Sequence, residues 1–250
     1  MYRHLSEKQI LGTLNTLYHR IAERFPESGL ARVARELISI AEETERNVEF
    51  LRRPFWPIRI AAGISIVVLL LLLAIAVAVV IDRMTGPGSA ATGAEGGIFE
   101  MLQGTEALIN EIVLLGVAIW FVLSLESRYK RRQSLRAIHQ LRSIAHIVDM
   151  HQLTKDPERL LSNQPDTASS PVRNMTREQL GRYLDYCSEL LSVTSKLAAL
   201  YVQNFADPVV LDTVSEVETL ATGLSGKIWQ KITLLDTGST REQPVRAELL

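Results

Sequence analysis

The sequence predicts an all-α protein in which two transmembrane helices carry a cytosolic helical bundle. Three observations predict it. Two apolar stretches, Ile60–Ile81 and Ala107–Leu125, approach or exceed the length needed to cross a bilayer. In the more polar remainder, apolar residues recur three and four positions apart, the period of an amphipathic helix. No segment alternates apolar and polar residues with period two, so no sheet is expected.

The formal net charge of the 250-residue chain is −1, so no nucleic-acid partner is expected and only the local placement of charge is informative. The single cysteine, Cys187, excludes an intrachain disulfide.

Residues 1–56 read as a cytosolic helix pair. Ser6 to Gln9 has the capping-box pattern, and Ile10, Leu14, Leu17, Ile21 and Phe25 follow at helical spacing. Pro26 and Gly29 mark a turn. Leu30, Val33, Leu37, Ile40 and Thr44 begin a second helix that runs to about Arg53, and Pro54 and Pro57 break it.

Residues 57–83 read as the first transmembrane helix. Ile60–Ile81 carries no charge over 22 residues. A helix of that length reaches about 33 Å, against a hydrocarbon core of roughly 30 Å. The patterned helices ahead of it set it apart from a cleavable signal peptide. Residues 84–105 read as a short flexible extracytoplasmic loop, because TGPGSAATGAEGG is too poor in large apolar residues to fold alone. Residues 106–126 read as the second transmembrane helix. Its uncharged part, Ile112–Leu125, spans only about 21 Å. Asn110 and Glu111 therefore fall near the outer interface, as possible interface or pore residues.

Arg46, Arg52, Arg53 and Arg59 precede the first span, and Arg128, Lys130, Arg131, Arg132 and Arg136 follow the second. The connection between the spans has Arg83 as its one cation. The positive-inside rule then puts both termini in the cytoplasm of a plasma membrane of the bacterial inner-membrane type. The cluster Arg128, Lys130, Arg131 and Arg132 is also a candidate contact for anionic headgroups.

Residues 127–154 continue the second span into the cytoplasm, with no proline or glycine from Arg128 to Gln152. Residues 155–175 read as a linker containing Pro157, Pro165 and Pro171. Residues 176–236 read as an antiparallel helical hairpin of coiled-coil type. Thr176 to Gln179 is a second capping-box pattern, and Leu180, Leu184, Cys187, Leu191, Thr194, Ala198, Tyr201 and Phe205 alternate in steps of four and three. Asp207-Pro208 opens the partner helix, whose seam is Val210, Val214, Val217, Ala221, Leu224 and Ile228. Such a seam needs cover, and the membrane-exit helix and the N-terminal pair are the available partners. Gly223 and Gly226 each cost about 1 kcal/mol against alanine in a helix interior. Residues 237–250 read as a flexible tail.

The segment HQLRSIAHIVDMH concentrates the candidate chemistry. On a helical wheel Ile138, Leu141, Ala145 and Val148 form an apolar face, and His139, Arg142, His146 and Asp149 lie opposite. His139 and His146 stand about 10.5 Å apart along the axis, too far to share an ion. Arg142 repels a cation at His146 and Asp149, so no metal site is expected. HQLRSI resembles the phosphoacceptor box of sensor histidine kinases over six residues, which would make His139 the phosphoacceptor. Ile144 stands where that box has proline, and no ATP-binding domain follows, so kinase activity is not expected. No nucleophile with a paired base and no cofactor fingerprint is present, and no catalytic residue, cofactor or small-molecule substrate is expected.

The sequence thus supports a non-catalytic, membrane-anchored interaction or assembly module, working with the lipid bilayer and either copies of itself or a cytosolic protein. The alternative is a homo-oligomeric ion channel or pore-forming effector with Glu111 near the pore mouth.

Overall fold

The computed structural model describes residues 4–53, 56–85, 94–157, 168 and 175–241. Among the described residues all regular structure is helical: α1 (Glu7–Arg24), α2 (Gly29–Arg52), α3 (Trp56–Thr85), α4 (Ala94–Leu153), α5 (Arg177–Asn204) and α6 (Pro208–Arg241). Two compact units are formed, one from Met1–Arg52 with Arg131–Leu250, the other from Arg53–Lys130.

The first unit is a helical bundle. α1 buries Ile10, Leu14, Leu17 and Ile21 on one stripe. α2 buries a wider face that includes Leu30, Ala34, Leu37, Ala41 and Val48. α5 is the central helix and packs on α1, α2 and α6. The sequence accounts for that position. Beside its heptad seam α5 carries Tyr183, Tyr186, Leu190, Val193, Leu197 and Leu200, all buried, so it is apolar on more than one face. α6 buries Val210, Val214, Val217, Ala221, Leu224, Ile228 and Leu235. α4 contributes Ala137, Ile138, Leu141, Ile144, Ala145 and Val148 to the same core.

The two capping patterns have different fates. Thr176 and Gln179 form a full capping box at the start of α5. Ser6 stands at the N-cap of α1 but its side chain makes no capping bond. The chain there is held from outside instead. The Gln203 amide accepts the Leu5 N–H at 2.8 Å and donates to the Leu5 carbonyl at 3.0 Å. Between α1 and α2 the left-handed residue is Glu27, with φ 59°, and not Gly29. The Ser28 hydroxyl accepts the Ala31 amide and so caps α2.

In the second unit, α3 is a 30-residue helix. Ile64, Val67, Leu71 and Ile75 are exposed along it, and Ile112, Val113, Leu114 and Val117 are exposed along α4. Near its cationic end Arg59 pairs with Glu126 at 2.8 Å, and Glu126 also holds Lys130 at 3.0 Å. Among the described residues one helical segment, Ile112–Leu153, is long and apolar enough to cross a membrane, and Arg59–Ile75 is apolar over a shorter length.

Two expected boundaries move. The loop expected at 84–105 gives way to helix from Ala94, because no proline lies between Pro87 and Pro157. The tail expected from 237 is helical as far as Arg241. The linker at 155–175 lies mostly outside the described residues.

Candidate functional site

Four of the sequence-derived candidates cluster where α4 passes from its apolar stretch into the bundle. They do not act alike. Arg128 is exposed, and its guanidinium lies 5.8 Å from the Trp120 ring centroid and 5.6 Å from that of Phe121. The charge thus folds back over aromatic faces in cation–π contact. Arg132 is exposed as well. Lys130 and Arg131 both have partners within the chain. Lys130 is 8% exposed. Its ammonium donates to the Arg53 carbonyl at 3.0 Å and pairs with Glu126. Arg131 donates twice to one carboxylate oxygen of Asp207, which is itself buried. Lys130 is buried against Arg53 and Glu126 of its own unit, whereas Arg131, whose side chain is 40% exposed, reaches the buried Asp207.

Asn110 is exposed on α4, and the Glu111 side chain lies outside the described residues. His139 and His146 are exposed, on the face opposite buried Ile138, Leu141, Ala145 and Val148. Arg142, between them, pairs with Glu216 of α6 at 2.9 Å. Among the described residues no three His, Cys, Asp or Glu side chains gather as metal ligands.

His151, on the rim of this face, has a distinct environment. Its imidazole lies over Gly29, the first residue of α2, where a Cβ would collide with the ring. Burial lowers its pKa below the ordinary 6.5, and the cations Arg32 and Lys155 lower it further. The next residue, Gln152, is 1% exposed. Its side-chain NH2 donates to Asp149 at 2.6 Å, while its side-chain oxygen Oε1 is buried without a partner among the described residues.

The sequence reading missed Lys231. Its ammonium donates to the carbonyls of Gln152 at 3.0 Å and Lys155 at 3.3 Å, closing the C-terminal end of α4. A cation there meets the negative end of the helix dipole. Burial lowers its pKa, and Asp156 and Asp149 oppose that shift. A signal was present: Lys231 continues the seam of Leu224 and Ile228 in the same steps, so it is a charge at a core position. Arg131, Ser134 and Gln152 are the matching polar residues on the seam of α4.

A polar network also crosses the core. The Tyr201 hydroxyl donates to Thr44, Asn47 donates to Tyr201, and Gln133 donates to Asn47. It ties α2, α4 and α5 together. Cys187 is buried elsewhere in α5, toward Lys231 and Lys155, and burial pushes its thiol up to about 12. This is an inert core cysteine rather than a nucleophile.

The bundle surface carries a groove of ligand size. α1 and α5 leave a cleft of about 740 Å³ floored by Ile10, Leu17 and Val193. Gln9, Thr13 and Lys196 stand on its rims. The Gln203–Leu5 clamp and the Arg20–Glu189 ion pair lie along the same cleft. Comparison with protein-family models, with curated proteins and with solved structures found no match to the chain.

Proposed function

We propose that the protein is a non-catalytic, membrane-anchored helical interaction module. α3 and the first part of α4 are its two spans, and both termini are cytoplasmic. One observation carries this reading. Within the single helix α4, Val113, Leu114 and Val117 are exposed at 58–71%, whereas Ile138, Leu141 and Val148 are fully buried. An exposed stretch of that apolarity needs a partner other than water, and a bilayer supplies one. The uncharged run Ile60–Ile81 within the 30 residues of α3 supports a second span, and the arginines that flank the two helices support the orientation.

The bundle supports the binding half of the proposal. Its heptad seams are filled within the chain, so the surfaces left for a partner are the groove between α1 and α5 and the exposed face of α4 with His139 and His146. The partner is a cytosolic protein or a second copy. The test is native mass measured in lipid nanodiscs together with ion flux in liposomes. The expected result is a monomer or dimer without flux. A closed ring of four or more copies that conducts ions, with selectivity changed by Glu111→Gln, would replace this reading with a pore.

A further inference from the structure

We propose that the bundle end at which α1 begins and α2 ends docks on the bilayer surface, seating Leu5 and the first turn of α6 between headgroups and acyl chains. This rests on the membrane anchor proposed above and adds a second, peripheral contact to it.

Three sets of bonds define that end. Leu5 is clamped by Gln203 near the end of α5. Arg52, the last residue of α2, donates to Glu7 and to Asn204, each at 2.6 Å. Arg131 grips Asp207 in the turn between α5 and α6. The start of α1, the end of α2 and the α5–α6 turn therefore share one end with Arg131.

At that end, beside the exposed polar residues Lys8, Gln9 and Arg52, Leu5 and the first turn of α6 are apolar where a water-facing helix start is ordinarily polar. Leu5 is 37% exposed, Val209 42% and Leu211 53%, and Pro208 is exposed beside them. Over the next three turns of α6 the exposed residues are polar, with Asp212, Ser215, Glu216, Glu218, Thr219 and Thr222 in succession, and among the described residues apolar ones are exposed again only at Trp229 and Leu234 toward its far end. A helix start normally also presents unbonded amides. This one does not. Pro208 has no N–H, the amides of Val209 and Val210 donate to the Asp207 carboxylate, and that of Leu211 donates to the Asp207 carbonyl. An apolar turn whose amides are all satisfied enters the lipid boundary without leaving a polar group unpaired.

The chain also brings this end to lipid. Arg52 lies four residues before Trp56, at the start of α3, and Arg131 lies six residues after Leu125. Four residues extend at most about 14 Å. Arg132, exposed next to Arg131, supplies the positive charge that anionic headgroups attract.

The experiment places single cysteines at Leu211 and, as a control farther along α6, at Thr222. Each carries an environment-sensitive fluorophore, in full-length protein reconstituted into phosphatidylcholine–phosphatidylglycerol liposomes containing headgroup nitroxide lipids. Cys187 is buried and stays unlabelled. The expected result is at least threefold stronger quenching at Leu211→Cys than at Thr222→Cys. Equal, weak quenching at both sites, with both reached by iodide from the water, would overturn the docking. A third label, at Val117→Cys, reports the anchor through nitroxides deep in the acyl chains. Quenching at 117 but not at 211 overturns the docking alone, and no quenching at 117 overturns the anchor as well.

Discussion

The guanidinium of Arg131 holds one carboxylate oxygen of Asp207 through Nε at 2.9 Å and Nη2 at 2.7 Å, while the other oxygen accepts the amides of Val209 and Val210. One buried carboxylate thus caps α6 and fastens the α5–α6 turn to α4. Asp207 is 6% exposed, so removing its cation leaves a charge in the interior. Arg131→Ala is expected to cost about 2 kcal/mol, the scale for hydrogen bonds to charged groups. Arg131→Lys recovers part of it, because an ammonium lacks the planar fork. Thermal unfolding in nanodiscs reads the order wild type, Lys, Ala, and no change in the Ala variant would refute the assignment.

Gly29 and His151 form a second close pair. A methyl at Gly29 meets the imidazole, and overpacking of this kind costs about 1–3 kcal/mol. Gly29→Ala is therefore destabilising, even though alanine is the better helix former. Adding His151→Ala should restore most of the loss. A double-mutant cycle with no coupling between the two positions would show that the ring yields freely.

The same histidine sets a pH dependence. Its folded pKa lies below the unfolded 6.5, for which burial is the first cause and Arg32 and Lys155 the others. The unfolded chain binds the proton more readily, so stability is full above pH 6.5 and falls as the pH drops below that value. The melting temperature is expected to fall more between pH 7.5 and pH 5 in the wild type than in His151→Asn. Parallel falls in the two proteins would remove His151 from the account.

Gly223 and Gly226 are exposed on α6, and a Cβ at either one meets open space. Alanine at each position is expected to stabilise by about 0.5–1 kcal/mol, through helix propensity alone. If calorimetry of the assembled protein shows a loss instead, that face packs closely against a second helix.

Tyr201 anchors the polar network that joins α2, α4 and α5. Tyr201→Phe keeps the ring but leaves Thr44 and Asn47 short of a partner, at a cost of about 1 kcal/mol. A Tm equal to that of the wild type would mean that neither group depends on the hydroxyl.

How much of this was legible in the sequence depends on the kind of signal. Helical periodicity located the core stripes of α1, α2 and α6, because burial on one face repeats with the turn of the helix. The capping pattern was read alike at Ser6 and Thr176, yet only Thr176 caps. Local spacing cannot register Gln203, which holds the start of α1 from almost two hundred residues away. The run Arg128 to Arg132 looked like one basic patch, whereas Lys130 and Arg131 are tied to Glu126 and Asp207 and Arg128 and Arg132 are exposed. The spacing of α6 marks Lys231 as a charge on the seam, but its partners, the carbonyls at the end of α4, lie on another helix and leave no trace in that spacing.

The central place of α5 has a consequence for biosynthesis. α1 and α2 bury their apolar faces partly against each other and partly against α5. The chain between Arg52 and Asn204 takes on the order of 10 s to synthesise at ~5–20 residues per second. For that interval the newborn N-terminal pair stands with one wall missing while the two apolar helices are already leaving the ribosome. The order of translation thus leaves the apolar faces of the first two helices, Ile10, Leu14 and Leu37 among them, waiting for the fifth helix before they are fully covered.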